Sequence, residues 1–352
     1  MRVIRGLGSA IKAIIPQRSK ILLRDSWVRM HIRHVFGPKS ILLGPTEAAV
    51  TCVVKNGAFH LTAFLDHYNT LGFKHVFLLD NGSTDETVAL AREYDNVTVF
   101  ECRLPIGSYQ PAMKRSLAKI AVSAGWCLDV DIDEFFDFPR SGEMSLDQFL
   151  HYLNEMGYSA VLCQMLDVFS ERPIAALAEN AREVRLDESY CYYDLSDVTM
   201  VNYEHAELTQ QFGARNELSC TGVNLLFGGI RKTLFGLNPL LTKHSLFVTD
   251  SGLELFTNSH FLNGATLADV SCVLLHYKLV SNCYESSSMN SDAFPVTRKG
   301  YEDLIDLIET RPELRIVGPG SKRFTSATDL LEEGFLFASR SFSEAAAREQ
   351  VV

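Results

Sequence analysis

The sequence lacks the features of a membrane-spanning, fibrous or disordered chain. No stretch reaches the ~18 consecutive apolar residues that a transmembrane helix needs. Its 352 residues include only 22 Gly and 11 Pro, too few for a collagen-like or low-complexity protein. Hydrophobic residues make up 47% and charged residues 22%, a balance that excludes intrinsic disorder. The chain is therefore long enough for one large globular domain or two modest ones.

The common short motifs for nucleotides and metals are also missing. There is no G-x-x-x-x-G-K-[ST] phosphate-binding loop, and no G-x-G-x-x-G follows a predicted strand. The eight cysteines are scattered without a C-x-x-C pair, which argues against a zinc site and a disulfide framework. We therefore predict a cytoplasmic protein that is neither a P-loop nucleotidase nor a dinucleotide dehydrogenase.

Positive charge is scarce except at the start of the chain. The net charge is −10, yet residues 1–45 contain nine Lys and Arg against one acid. The acidic remainder argues against nucleic-acid binding, which requires a basic surface. Apolar residues from Val3 to Ile15 recur at near-helical spacing between basic ones, so residues 1–20 could lie on an anionic inner membrane as a peripheral contact. The alternative is that this arm packs on the body with its charges in solvent.

Strands and helices alternate after Pro45. The pattern predicts strands at 48–54, 75–79, 97–101 and 126–131, and helices at 59–71, 86–94 and 112–124. Ser83 and Glu86 have the spacing of a capping box at the start of the second helix. Such alternation indicates an α/β fold with a mainly parallel sheet flanked by helices. Further strands are predicted at 160–165 and 270–277, and helices at 301–309 and 327–331.

We predict three regions from this pattern. They are a basic N-terminal arm (1–45), a catalytic domain (46–285) and a helical C-terminal tail (286–352). The catalytic domain divides into a nucleotide-binding half (46–140) and a mixed half for the acceptor (141–285).

The strongest local signal is W-C-L-D-V-D-I-D-E-F-F-D-F-P, residues 126–139. Asp129, Asp131 and Asp133 would share one face if the strand stayed extended. Buried carboxylates need partners, and oxygen ligands suit Mg²⁺ or Mn²⁺. The segment therefore predicts a divalent metal site, because ligands bind at the carboxyl ends of parallel strands. The alternative is a solvated acidic turn.

A second acidic signal, D-N-G-S-T-D, follows the 75–79 strand. Asp80 or Asp85 could accept hydrogen bonds from a base or a ribose there. Ordinary turn and capping chemistry explains the same residues without a ligand.

Together these blocks resemble a known family. The sequence is similar to bacterial glycosyltransferase family 2-like proteins with a GT-A fold, in the subgroup with an l-D-x-D-E-F motif. The similarity spans roughly residues 47 to 335. It rests on V-V-K-N (53–56), L-D-N-G-S-T-D-E-T (79–87), W-C-L-D-V-D-I-D-E-F (126–135), M-L-D-V-F (165–169), C-Y-Y-D (191–194), G-G-I-R-K-T-L-F-G (228–236), K-H-S-L (243–246), S-H-F-L (259–262) and L-L-H-Y-K (274–278).

The resemblance implies roles for the acidic motif and its surroundings. Asp131 and Asp133 would hold Mn²⁺ or Mg²⁺ on the diphosphate of a nucleotide-sugar. Asn56 and Asp80, with Asp85 nearby, would contact the donor nucleoside. The family usually has an acid after this Asn, and Gly57 stands there instead, which weakens the nucleoside assignment.

Basic residues and histidines complete the predicted site. The resemblance makes His276 a metal ligand and His260 a lesser candidate, although a lone histidine in a strand is more often a satisfied core residue. Lys114 would face the phosphates. Arg231 and Lys243 would bind the departing diphosphate, the alternative being an ordinary solvated cationic loop.

The predicted function is a metal-dependent glycosyltransferase in surface or extracellular polysaccharide synthesis. It would move a sugar from a nucleotide donor to the hydroxyl of a glycan or lipid-linked acceptor. The resemblance implies inversion, which requires a carboxylate base. We favour Asp167, in addition to Asp133, as catalytic, with Asp194, Asp250, Glu254 and Asp269 as other candidates for the base. The alternatives are a D-x-D phosphotransferase and a non-catalytic protein that binds nucleotide-sugars or glycans.

Overall fold

The computed structural model describes residues 17–178, 185–280 and 295–348. It has a mixed α/β architecture in which a large, mainly parallel central sheet is flanked by helices, as the sequence predicts. The strands are β1 (Arg33–Phe36), β2 (Ala48–Val54), β3 (His75–Asp80), β4 (Val97–Glu101), β5 (Trp126–Asp129), β6 (Glu134–Asp137), β7 (Ala160–Asp167), β8 (Tyr192–Asp194), β9 (Val198–Asn202), β10 (Glu217–Leu218), β11 (Asn224–Gly228), β12 (Thr242–Val248), β13 (Thr266–Leu267), β14 (Cys272–His276) and β15 (Ser321–Arg323).

The helices cover the two faces of this sheet. They are α1 (Gln17–His31), α2 (Ala58–Leu71), α3 (Thr87–Ala91), α4 (Ile106–Ala121), α5 (Leu146–Glu155), α6 (Leu186–Ser189), α7 (Glu207–Phe212), α8 (Ile230–Phe235), α9 (Pro295–Thr310), α10 (Ala327–Glu332) and α11 (Arg340–Arg348). Short 3-10 helices occupy Ile174–Ala178 and Tyr203–His205. In the described part of the chain, no helix combines the length and apolarity needed to cross a bilayer.

The first half of the sheet is parallel. Its strand order is β4–β3–β2–β5, each strand parallel to its neighbour. Every residue of β2 and β3 is buried, as expected of strands covered on both faces. Alternate residues of β2 enter different cores, with Val50 and Cys52 on one side and Ala49 and Val53 on the other.

The second half mixes strand directions. Strand β12 runs antiparallel between β5 and β7, which joins the two halves. Strand β14 lies parallel to β7 and antiparallel to β6. The carboxyl ends of β5, β7 and β14 therefore meet near the start of β6.

Residues 17–36 are part of this body. Strand β1 pairs antiparallel with β4 at the edge of the sheet, and α1 packs on α4. The guanidinium of Arg115 on α4 donates to both carboxylate oxygens of Asp25, from Nε at 2.9 and 3.1 Å. Residues Val3 to Ile15 of the predicted arm lie outside the described residues. The described tail also packs on the body, since β15 pairs with β8 and the Phe342 ring contacts Phe149.

Two local predictions are wrong. The predicted capping box at Ser83 does not form: α3 begins at Thr87, and Ser83 Oγ accepts from the backbone N–H of Asn56 instead. A capping box occurs at the start of α5, between Ser145 and Gln148. Helix α4 begins at Ile106 rather than 112 and continues through Pro111, although proline has no N–H to donate within the helix.

We predict that Asp25→Ala lowers the free energy of unfolding by about 3 kcal/mol, because it leaves the buried Arg115 guanidinium without its carboxylate. Urea denaturation would measure the change. Arg33→Gln is the control, since Arg33 pairs with Glu101 but is largely exposed, and we expect a loss under about 1 kcal/mol. Equal effects of the two substitutions would contradict a structural role for the Asp25–Arg115 pair.

Candidate functional site

Five carboxylates collect where three strands end, and we call them the acid cluster. Asp129 ends β5, Glu134 opens β6 and Asp167 ends β7, while Asp131 and Asp133 lie in the turn between β5 and β6. The strand register brings His276, the last residue of β14, opposite both Glu134 and Asp167. The acidic motif therefore lies at the carboxyl ends of the strands, where the sequence places it.

The motif does not remain extended, contrary to the condition under which its three aspartates would share a face. The strand ends at Asp129, and the backbone N–H of Glu134 donates to the carbonyl of Asp131 at 3.0 Å. The carboxylate of Glu134 in turn accepts from the N–H of Asp131 at 2.9 Å. The turn thus separates Asp131 and Asp133, which meet different partners.

Two buried lysines hold the first part of the acid cluster. Lys114 Nζ lies 2.7 Å from Asp129 and 3.0 Å from Asp131. Lys243 Nζ lies 2.8 Å from the other oxygen of Asp131 and also contacts Glu134. Burial raises the pKa of Asp129 to about 6 although Lys114 opposes the shift, whereas at Asp131 the two ammonium groups outweigh burial and hold the pKa well below its usual value. Both lysines therefore bind carboxylates, whereas the prediction from sequence is that they contact the donor phosphates.

A second group of contacts is centred on His276. Its Nδ1 lies 2.5 Å from Asp167 Oδ1, and its Nε2 lies 3.4 Å from Asp133 Oδ2. Arg231 Nε donates to the other oxygen of Asp167 at 2.7 Å. Burial lowers the pKa of His276, but Asp133 and Asp167 outweigh burial and raise it to about 9.

Both carboxylate oxygens of Asp167 are engaged within this group. Burial opposes its ionisation, yet Arg231 and His276 hold its pKa at about 2. A carboxylate with both oxygens occupied and so low a pKa is a poor proton acceptor at neutral pH. The arrangement therefore argues against the predicted role of Asp167 as catalytic base and favours a role in orienting His276.

The charges of the site balance without any added ion. The five carboxylates face Lys114, Lys243, Arg231, protonated His276 and Lys278, whose Nζ lies 4.0 Å from Asp133. Buried charges are tolerated only when they are paired in this way. Each carboxylate of the acid cluster is therefore paired within the protein.

The predicted nucleoside-binding residues lie together at the ends of β2 and β3. Asp80 accepts from the backbone N–H groups of Gly82 and Ser83 at 3.1 Å. Asn56 Oδ1 accepts from the N–H of Thr84 at 2.7 Å, and Asp85 accepts from that of Ala58 at 3.1 Å. These side chains tie two loops to each other, so the turn chemistry that the sequence allowed is present.

The other predicted residues are not in the acid cluster. His260 Nδ1 contacts the carbonyl of Thr242 at 3.1 Å, and burial lowers the pKa of His260 to about 3. The remaining candidates for the base are engaged elsewhere. Asp250 accepts from Gly125 before the start of β5, Asp269 from Tyr152, Asp194 from Ser321, and Glu254 pairs with Arg215.

Sequence reasoning missed His60, on the first turn of α2. Its Nε2 is buried and has no hydrogen-bond partner among the described residues. Burial lowers the pKa of His60, although the nearby Asp133 carboxylate opposes the shift. The ring is therefore neutral at pH 7. No sequence signal marked it, because it falls within the apolar pattern of a helix.

Part of the predicted metal site fits a divalent ion. Among the described residues, no group of three or more His, Cys, Asp or Glu is arranged so that it could hold a metal ion. Mg²⁺ sites commonly use one or two carboxylates and complete the shell with phosphates and water. Asp133 and His276 meet this requirement once a metal displaces the Nε2 proton of His276, with Asp167 on the second ring nitrogen as in many metal-binding histidines. The buried Nε2 of His60 has no hydrogen-bond partner among the described residues, and its ring lies close enough to Asp133 for the carboxylate to affect its pKa. Asp131 fits poorly, since lysines hold both of its oxygens.

No protein-family model and no curated protein matches this chain. The function must therefore be argued from the site itself.

We predict that Lys114→Met costs about 3–5 kcal/mol of unfolding free energy, because it removes the ammonium group that offsets the burial of Asp129 and Asp131. Adding Asp129→Asn should recover much of the loss, since both charges are then removed. A double-mutant cycle by chemical denaturation measures the coupling. Strictly additive losses would show that the pair does not stabilise this edge of the site.

Proposed function

We propose that the protein is a metal-dependent glycosyltransferase that uses a nucleotide-sugar donor, with the GT-A type of fold that its motifs resemble. The observation that carries the proposal is the pairing of Asp133 with His276, 3.4 Å apart at the carboxyl ends of the strands. Ligands of open α/β sheets bind at this edge. The parallel half of the sheet and the loops of Asn56 and Asp80 lie beside it, where a nucleoside would be held.

Asp133 and His276 are the residues that would hold Mn²⁺ or Mg²⁺. The bound ion would supply positive charge that stabilises a departing diphosphate. Asp167 keeps Nδ1 of His276 engaged and so directs Nε2 towards Asp133. Arg231 holds Asp167 in place, and its Nη2 is buried without a hydrogen-bond partner in the described structure. That free donor makes Arg231 a candidate contact for a phosphate oxygen.

The two lysines that pair with the acid cluster stabilise the protein and do not contact the donor in our proposal. Lys114 and Lys243 clamp Asp131 from two sides and thereby fix the turn that presents Asp133. Asp131 is then a positioning residue in our proposal, in place of the metal ligand that the sequence predicts. Lys278, 4.0 Å from Asp133, remains at the edge of the site as a second cation for the diphosphate.

The acceptor and the stereochemistry are proposals drawn from the family resemblance. We propose an inverting transfer to a glycan or lipid-linked acceptor in surface polysaccharide synthesis, on the cytoplasmic side of the membrane. Because Asp167 is committed to His276 and Arg231, we assign the base to no residue. The anomeric configuration of the product, from proton NMR couplings, tests inversion.

We expect the protein to release nucleoside diphosphate from at least one member of a panel of UDP-, GDP- and dTDP-sugars in the presence of Mn²⁺. Asp133→Asn should lower the rate at least about a hundredfold, because it weakens metal binding next to the diphosphate. The control is Asp250→Asn, which changes an aspartate beyond the opposite end of β5.

The products separate this function from its rivals. Transfer of phosphate instead of sugar would identify a phosphotransferase. Donor binding without any turnover would indicate a binding protein. Wild-type turnover by Asp133→Asn would refute the proposed role of Asp133.

We also expect His276→Gln and Asp167→Asn to weaken Mn²⁺ binding by about 10–100-fold, as loss of a ligand or of its hydrogen-bond partner does. Electron paramagnetic resonance of free Mn²⁺ in the presence of donor measures the affinity. His260→Gln is the control, because His260 contacts backbone rather than the acid cluster. If His260→Gln had the larger effect, the metal would have to be reassigned to the other histidine.

A further inference from the structure

Helix α1 carries the largest group of exposed apolar side chains on one element of the described structure. Leu22, Leu23, Trp27 and Met30 are 66%, 61%, 46% and 70% exposed. At about 100° per residue, the four side chains fall within an arc of about 140°. They form one face, which we call the α1 face.

The opposite side of α1 is fixed to the body. Val28 is fully buried, and Asp25 is paired with Arg115 of α4. Arg115 also donates to the carbonyl of Phe256 at 2.7 Å, which ties the contact to a third segment. The helix is therefore held so that its apolar face points outward. Removing four large apolar side chains from water would contribute several kcal/mol of favourable free energy. Their exposure therefore indicates a binding surface.

The positive charge around the α1 face indicates what kind of partner binds it. Arg24 and Arg29 are exposed on either side of the apolar arc, and Arg33 follows the helix with its side chain 67% exposed. The surrounding segment is strongly basic although the whole chain carries −10. A second copy of the chain, docked face to face about a two-fold axis, would bring these arginines against each other. An apolar face with Trp and a basic border is instead typical of helices that lie in a bilayer interface.

We propose that the α1 face binds the surface of an anionic lipid bilayer, with Leu22, Leu23, Trp27 and Met30 inserted among the headgroups. This site is distinct from residues 1–20 of the arm and from the acid cluster. It does not depend on glycosyltransferase activity.

Tryptophan fluorescence gives a direct readout on the full-length protein. The sequence has two tryptophans, and Trp126 is 1% exposed whereas Trp27 is half-exposed. With vesicles of equal parts phosphatidylglycerol and phosphatidylcholine, we expect a blue shift of Trp27 emission and quenching by brominated lipids. Binding should weaken in high salt and with pure phosphatidylcholine, because the arginines bind anionic headgroups.

The double variant Leu23→Glu/Met30→Glu tests the face itself. We expect its apparent affinity for the anionic vesicles to fall at least about tenfold, with loss of the Trp27 blue shift. Met200→Glu is the matched control, since Met200 is 51% exposed on β9, away from α1.

Three results would overturn the proposal. The first is vesicle binding by wild-type protein without a change in Trp27 emission, which would place the contact in residues 1–20. The second is equal binding by the double variant and Met200→Glu. The third is a wild-type dimer that the double variant converts to monomer, which would assign the face to a second copy.

Discussion

The interaction on which the rest of the site depends is the neutralisation of buried carboxylates at one edge of the sheet. Leaving one such charge unpaired would cost several kcal/mol, comparable to a large part of the stability of a domain. The chain meets this requirement with cations from separate parts of the sequence: Lys114 from α4, Arg231 from α8 and Lys243 from β12. The pair between Lys243 and Asp131 joins β12 to the turn after β5, so it also helps to fix how the two halves of the sheet meet.

Strand register determines which acid meets which cation. Because β14 lies between β6 and β7, its last residue faces an acid on each side, and a shift of one residue would turn the His276 ring to the other face of the sheet. The turn after β5 sends two nearby acids to different partners, since it directs Asp131 to the lysines and Asp133 to His276. Two aspartates separated by one residue therefore have different chemistry. Asp131 is held by two lysines, and Asp133 contacts the ring of His276.

The sequence predicts the elements of this structure better than the contacts within the site. The strands β2 to β5 and helix α2 follow from apolar runs and from Gly72, which ends α2 in a left-handed conformation. The position of the acid cluster follows as well, because parallel strands present their carboxyl ends at one edge. The pairs of Lys243 with Asp131 and of His276 with Asp167 could not be predicted, since they depend on β12 and β14, whose places in the sheet are set by long-range pairing. His60 could not be predicted for the same reason, because its place in the site depends on its proximity to Asp133, which is remote in sequence.

Helix α4 links the acid cluster to the outer surface through two consecutive residues. Lys114 points to Asp129 and Asp131, whereas Arg115 points to Asp25 on α1, so neighbouring side chains about 100° apart on the helix contact different parts of the molecule. Both residues are buried and paired, and neither can move without breaking an ion pair in a water-poor environment. A surface bound by α1 would therefore be held at a fixed orientation to the ends of β5 and β7. For an enzyme with an acceptor in or near a bilayer, that rigidity keeps the reaction centre at one height above the lipid, which a flexible tether alone would not do.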